Sequence, residues 1–200
     1  MKMSRLEKRL VNREAKARFN IELLRRGLAE MDYNAIRDVL EIGCGIGSVS
    51  AYLAGEYWMR VIGTDFDPEQ IEIARRLHGE TDLLKFRVLD ASHPDYPNEC
   101  FDLVISQYVF HHVSAWRKIV KETARVLRPG GFFIWLDLAL PELAKKLFQP
   151  LNTNYGIYTL GDILEEMKHH GFKQAFYEKL HRWLFVSHHL VFRKQKGIVA

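Results

Sequence analysis

An open, doubly wound α/β sheet is the fold the sequence predicts, on three observations. Short apolar runs alternate with amphipathic stretches between residues 36 and 136. The first run ends in three glycines at every second position, in "VLEIGCGIGSVSAYLA" (Val39 to Ala54). Two further strand-like runs near the C-terminus lie close enough in sequence to pair as an antiparallel hairpin. Strands alternating with helices imply right-handed βαβ units, with helices on both faces of the sheet. The expectation is a mostly parallel, seven-stranded sheet with an antiparallel C-terminal edge hairpin and an N-terminal helix.

Each element has its own justification. "IRDVLEI" (36–42) is the apolar run of a strand buried on both faces. A helix follows from Ser48 to about Gly55, then a strand "RVIGT" (60–64). "DPEQIEIARRL" (67–77) reads as a helix: Asp67 caps it, Pro68 suits its first turn, and Gln70 is placed to complete a capping box. "LKFRVL" (84–89) and "FDLVIS" (101–106) are the third and fourth strands. "WRKIVKETARVL" (116–127) is amphipathic, "RPGG" (128–131) stops it, and "FFIWL" (132–136) is the fifth strand. Beyond Pro141 a polar loop near 152–158 leads to a helix over 159–170, ended by Gly171, and to strands near 172–178 and 183–192. Nothing resembling a linker or repeat interrupts the chain. The expected organisation is one domain over 1–200: a helical cap (1–33), a ligand-binding core (36–137), and substrate-side helices and edge strands (138–200).

The totals bound the function. The 200 residues are 48% apolar, enough for one packed core. Two cysteines, Cys44 and Cys100, cannot build a disulfide framework and suit a reducing, cytoplasmic compartment. Net charge is +4, unevenly placed: residues 1–30 hold nine Lys or Arg against four Glu, so the remainder sums to −1. That basic segment suits contact with an anionic surface or membrane, with RNA, or simply a solvated face. Its apolar residues Leu6, Leu10, Ala17, Ile21, Leu24 and Leu28 are spaced to pack on a core.

In open α/β sheets ligands bind at the carboxyl ends of the strands. Gly43, Gly45 and Gly47 stand there, at G-x-G-x-G spacing, one residue shorter than the dinucleotide fingerprint. Glu41 faces a pyrophosphate badly and a cationic ligand well. Asp65 ends the second strand, 18 residues after Gly47, where an acid accepts from ribose hydroxyls. Phe66 suits an adenine face or the core, and Asp90 suits an adenine amino group or a loop cap. S-adenosylmethionine carries an ammonium and a sulfonium and no phosphate.

Five stretches then share one resemblance: "VLEIGCGIG" (39–47), "VIGTDFDPEQIEIAR" (61–75), "FRVLDAS" (86–92), "FDLVISQYVFHHV" (101–113) and "ARVLRPGGFF" (124–133). In this order and spacing they resemble the class I S-adenosylmethionine-dependent methyltransferases, with their Rossmann-like fold, and are most similar to the small-molecule and quinone-biosynthesis-like group. The resemblance implies that Glu41, Gly43, Cys44, Gly45 and Gly47 run along the methionine end of the cofactor. It implies ribose on Asp65, adenine at Phe66, Asp90 and Ala91, and the start of the substrate side at Gln107. Ile46 departs from the Thr or Ser often found inside the loop.

Methyl transfer is an in-line displacement at an activated carbon, so alignment and exclusion of water matter most, and a base serves only acceptors that must lose a proton. Tyr108, His111 and His112 are the candidate substrate contacts, with His111 the candidate base. If they lie in a helix, adjacent residues point about 100° apart, so only one histidine faces the pocket. Phe19 is a candidate lid. No His pair has the i, i+4 spacing of helical ligands, so no metal site is expected. "SQYV" lacks the Asp/Asn-Pro-Pro-aromatic motif of exocyclic-amine methylation, and neither cysteine follows proline, which argues against a nucleic-acid base despite a pI near 9.0. The expected reaction is methylation at O, N or C of a small or lipid-like acceptor. The competing readings are an RNA methyltransferase guided by Arg5, Lys8 and Arg9, a non-catalytic cofactor-binding module, and a nicotinamide-dependent oxidoreductase.

Overall fold

The computed structural model describes residues 14–148, 155–182 and 185–197. Arg5, Lys8 and Arg9, the apolar positions Leu6 and Leu10, the loop positions 152–154 and the strand positions 183–184 lie outside the described residues. The elements in chain order are α1 (Glu14–Ala29), β1 (Asp38–Ile42), α2 (Ser48–Tyr57), β2 (Arg60–Asp65), α3 (Pro68–His78), β3 (Leu84–Val88) and β4 (Phe101–Gln107), then α4 (Trp116–Val126), β5 (Leu127–Leu138), α5 (Glu142–Phe148), α6 (Leu160–His169), β6 (Phe172–Arg182) and β7 (Phe185–Lys194). They form one seven-stranded sheet in the order β3-β2-β1-β4-β5-β7-β6. The first five pair in parallel, and β7 pairs antiparallel with both β5 and β6. The doubly wound sheet with an antiparallel edge is therefore as the sequence reading expected.

The period of two along each strand divides the core. Val39, Val61, Phe86, Leu103 and Ile134 pack beneath α1, α2 and α3. Leu40, Ile42, Val104, Phe133 and Trp135 pack beneath α4 and α6. Both layers are buried, which is why these strands read as continuous apolar runs rather than as alternation. The chain leaves β1 toward β2 and β4 lies on the other side of β1, so the order reverses between β1 and β4. Their carboxyl ends diverge there and open a crevice.

Some local details differ from expectation. The Arg128–Gly131 stretch does not precede β5 but belongs to it: Leu127 already pairs with Phe101, and the register shifts between Phe101 and Leu103. A bulge absorbs the proline and glycines, with Gly130 at φ 86°. Helix α2 runs on to Tyr57. Asp67 caps α3 by accepting from the Glu69 N–H at 3.1 Å, but Gln70 closes no capping box. Its side chain is fully buried beside the glycine loop instead. Helix α5 was not foreseen; two turns carry too little periodicity to read, and Lys145 is tied at 2.7 Å to Asp162 of α6. Asp162 also completes a capping box with Thr159, the N-cap of α6.

Helix α1 matters most for the site, because it lies over the crevice. Leu23, Leu24 and Leu28 are buried, and Arg26 bonds Glu178 on β6 at 2.9 Å. Leu24→Ala is expected to cost about 2–5 kcal/mol, read as a fall in the urea midpoint at unchanged slope. A cost below roughly 0.5 kcal/mol, the range of neutral surface changes, would mean that α1 is not docked as described.

Candidate active site

The glycine loop is built by β1 and held by β2. The Cys44 N–H donates to the Thr64 carbonyl at 2.8 Å, and the Thr64 hydroxyl donates to the Glu41 carbonyl at 2.8 Å. The Gly45 N–H donates to Asp65 Oδ2 at 2.9 Å, while Asp65 Oδ1 accepts from the Asp67 N–H at 2.9 Å. Asp65 thus joins the loop to the start of α3. Gly43 has φ 70°, and a Cβ there would strike Val109 after β4. Gly47 has φ 79° and is the N-cap of α2; a Cβ there would stand 2.5 Å from Phe86. Packing against β3 thus requires a glycine here, and its neighbours Ile46 and Ser48 line the cavity while Gly47 stands behind them.

A cavity of about 810 Å³ opens in the crevice. At the loop end it is lined by Glu41, Gly43, Cys44, Gly45, Asp65, Phe66, Asp90 and Ala91, and toward β4 and α1 by Gln107, Tyr108, His111, His112 and Phe19. All the sequence-predicted site residues except Gly47 therefore meet in one place. Both histidines line it, contrary to the helical expectation. They sit in a single 3-10 turn (Phe110–His112), with ring centroids 3.9 Å apart. The turn follows Tyr108, held at φ 60°, a conformation a bulky residue rarely adopts, and this redirects the chain round the cavity.

The electrostatics divide the cavity. Three carboxylates, Glu41, Asp65 and Asp90, stand at the loop end. Among the described lining residues Lys16 and the two imidazoles are the cationic or protonatable nitrogen groups, and Lys16 Nζ lies 4.8 Å over the Tyr108 ring. Glu41 is 3% exposed and accepts a short hydrogen bond from the Ser50 hydroxyl. Burial lifts its carboxyl to about 7 against the pull of that bond. Asp90 accepts from the Ser92 amide at 2.9 Å and from its hydroxyl at 2.7 Å. Burial pushes its pKa up, but the Ser92 bonds and His93 outweigh burial and hold it below the usual carboxylate range. Burial likewise pushes the Cys44 thiol well up, so it is no nucleophile.

Sequence reasoning missed two contributors. Asn20 accepts at its carbonyl from Gln107 Nε2 at 3.0 Å, and both Asn20 Oδ1 and Gln107 Oε1 are buried without a hydrogen-bond partner among the described residues. Asp137, 0% exposed, bonds His111 Nδ1 at short range and accepts from the Phe110 N–H at 2.7 Å. Its signal was present: one acid inside the apolar "FFIWLDL" has to be paired to be buried.

These residues fit S-adenosylmethionine. Orphaned carbonyl oxygens on Gln107 and Asn20 call for a donor such as an ammonium, three acids favour a cation and reject a pyrophosphate, and Asp65 and Asp90 suit ribose and an adenine amino group.

The site is an acid-lined cavity at the switch point of a doubly wound sheet, and comparison with known proteins shows what the chain is similar to. Residues 40–135 match a family described as a methyltransferase domain. The chain is 34% identical over 113 residues to methyltransferase GfsG of Streptomyces halstedii, covering 55% of this chain and 41% of that protein. It is 35% identical over 121 residues to a fatty-acid O-methyltransferase of Mycolicibacterium smegmatis, covering 60% of this chain and 43% of that one. The matched segments thus span about two-fifths of those relatives. Among solved structures, the YcgJ protein of Bacillus subtilis superposes with a TM-score of 0.73 at 19% identity over 88% of this chain and 99% of that one. The [4+2]-cyclase SpnF superposes with a TM-score of 0.74 at 18% identity over 88% and 81%. These findings support a class I S-adenosylmethionine-dependent methyltransferase domain over residues 40–135.

Glu41 makes the site pH-sensitive. Its folded-state pKa lies above the ordinary 4.5, so the stability it contributes is present below that value and is lost as pH rises through about 7. The stability of Glu41→Gln relative to wild type is therefore expected to grow by about 2–3 kcal/mol between roughly pH 5 and 8 in urea titrations. A constant difference would place the ionisation elsewhere.

Proposed function

We propose that this protein transfers a methyl group from S-adenosylmethionine to a small organic acceptor. The observation that carries this reading is the acid-lined loop end of the cavity, continuous with an apolar and imidazole-lined end. Bound there, S-adenosylmethionine supplies a methyl group activated on sulfonium sulfur. Asp65 receives the ribose hydroxyls, and its grip on the Gly45 N–H keeps the loop in register while it does so. Phe66, 52% exposed at the cavity wall, covers the adenine, and Asp90 and Ala91 bound its edge. Gln107 Oε1 and Asn20 Oδ1 accept from the ammonium. Glu41, Gly43, Cys44 and Gly45 enclose the methionine end. Phe19 and Lys16, carried on α1, close the cavity over the acceptor and exclude water. The acceptor lies among Tyr108, His111, His112 and Leu138. A cavity of about 810 Å³ falls within the usual range for small-molecule sites, which suits a cofactor with a compact acceptor rather than a polymer.

The test is thermal unfolding with S-adenosylhomocysteine, with NAD and with neither. A ligand at about 100 times its dissociation constant adds about 2.7 kcal/mol, or roughly 5–11 °C for a chain of this size. S-adenosylhomocysteine alone is expected to give the shift, and Asp65→Ala to abolish it. A shift with NAD alone would turn the reading toward an oxidoreductase.

A further inference from the structure

We infer that His111 and Asp137 form a base-and-orienter pair, and that the acceptor is an aromatic hydroxyl. This deepens the methyl-transfer reading and rests on it.

The Asp137 carboxylate is sealed beneath the cavity floor. Oδ1 accepts from the Leu138 N–H and Oδ2 from the Phe110 N–H, both at 2.7 Å, so the side chain cannot turn. Its remaining short bond is to His111 Nδ1. Tyr158, 1% exposed, backs the carboxylate; burial, then Asp137 itself, push its phenol pKa well up, so that hydroxyl keeps its proton. An acceptor-only carboxylate on Nδ1 fixes the Nδ1–H tautomer. Nε2 is then the nitrogen left with a lone pair, on a side chain 24% exposed in a residue that lines the cavity. A base held by a third group in this way is the arrangement that activates a weak nucleophile.

The acceptor class follows from matching acidities. A neutral imidazole takes a proton efficiently from a group only a few pKa units weaker as an acid; a phenol, near 10, qualifies. A carboxylic acid is already ionised at neutral pH and needs no base. The walls agree: Phe19 and Tyr108 bring aromatic rings, Val113, Ile119 and Leu138 bring apolar side chains, and the Lys16 ammonium over the Tyr108 ring complements a developing phenolate. The step balances. The phenol proton passes to His111 Nε2 and the phenol oxygen bonds to the methyl carbon. The carbon–sulfur bond breaks with its electron pair on sulfur, which leaves as a neutral thioether. The imidazolium, held by Asp137, then returns its proton to solvent.

The test uses the full chain saturated with S-adenosylhomocysteine, which separates this inference from the cofactor assignment. Long-range proton–nitrogen correlation spectra of the imidazoles are expected to show His111 as the Nδ1–H tautomer, and Asp137→Asn to release that preference. An Nε2–H tautomer in the wild type overturns the pair. With S-adenosylmethionine and 2-naphthol or catechol, methyl transfer to the hydroxyl oxygen is expected. His111→Gln should keep the S-adenosylhomocysteine thermal shift while losing about 10²- to 10⁴-fold in rate. Because Asp137→Asn can also disturb folding, the His111 variant carries the decision. A rate within threefold of wild type overturns the base, and transfer to an amine or carboxylic acid but to none of the phenols overturns the acceptor class.

Discussion

The Asp65 carboxylate is the constraint on which the rest of the site depends. It stands at the end of β2, yet it holds the Gly45 N–H across β1 and the Asp67 N–H at the start of α3. Two charge-assisted bonds from backbone amides fix the loop at its sharpest point. With the loop fixed, Gly43 can lie close against Val109, and the two halves of the cavity come into register. The same carboxylate lines the cavity, so a ligand bound as proposed would meet the group that fixes the loop.

A second constraint is the division of charge. Buried acids are expensive, and a fold keeps them where something repays their desolvation. Glu41 and Asp137 are both almost fully buried, Glu41 in the cavity lining and Asp137 behind His111. Glu41 shifts toward the protonated form with a single serine hydroxyl beside it, which leaves it responsive to an arriving cation. Asp137 is saturated by two amides and an imidazole, which leaves it rigid. One acid is thus suited to sensing a ligand and the other to aiming a side chain. That the fold alone does not choose between chemistries is clear from SpnF, a cyclase with the same architecture.

Much of this was legible in the sequence because the signals were local and repeated. Alternating apolar runs and helices announced the sheet, and the spacing of Glu41, Gly43, Gly45 and Asp65 announced the loop. What was not legible depended on contacts across the chain. Asn20 reaches Gln107 over 87 residues, and Asp137 reaches His111 over 26, so no window contains both partners. The assumption that the histidines lie in an ordinary helix failed because Tyr108, at φ 60°, breaks the backbone path just before them. The packing role of Gly47 was hidden for a related reason: its neighbours Phe86 and Ala74 come from β3 and α3, and only the fold brings them to it.

The most direct measurement is a crystal structure of the protein grown with S-adenosylhomocysteine. The expected result is ribose hydroxyls on Asp65, adenine between Phe66 and Asp90, and the ammonium on Gln107 and Asn20, with α1 closed above. Ligand density elsewhere, or a ligand at the loop that leaves Asp65 and Gln107 uncontacted, would contradict it.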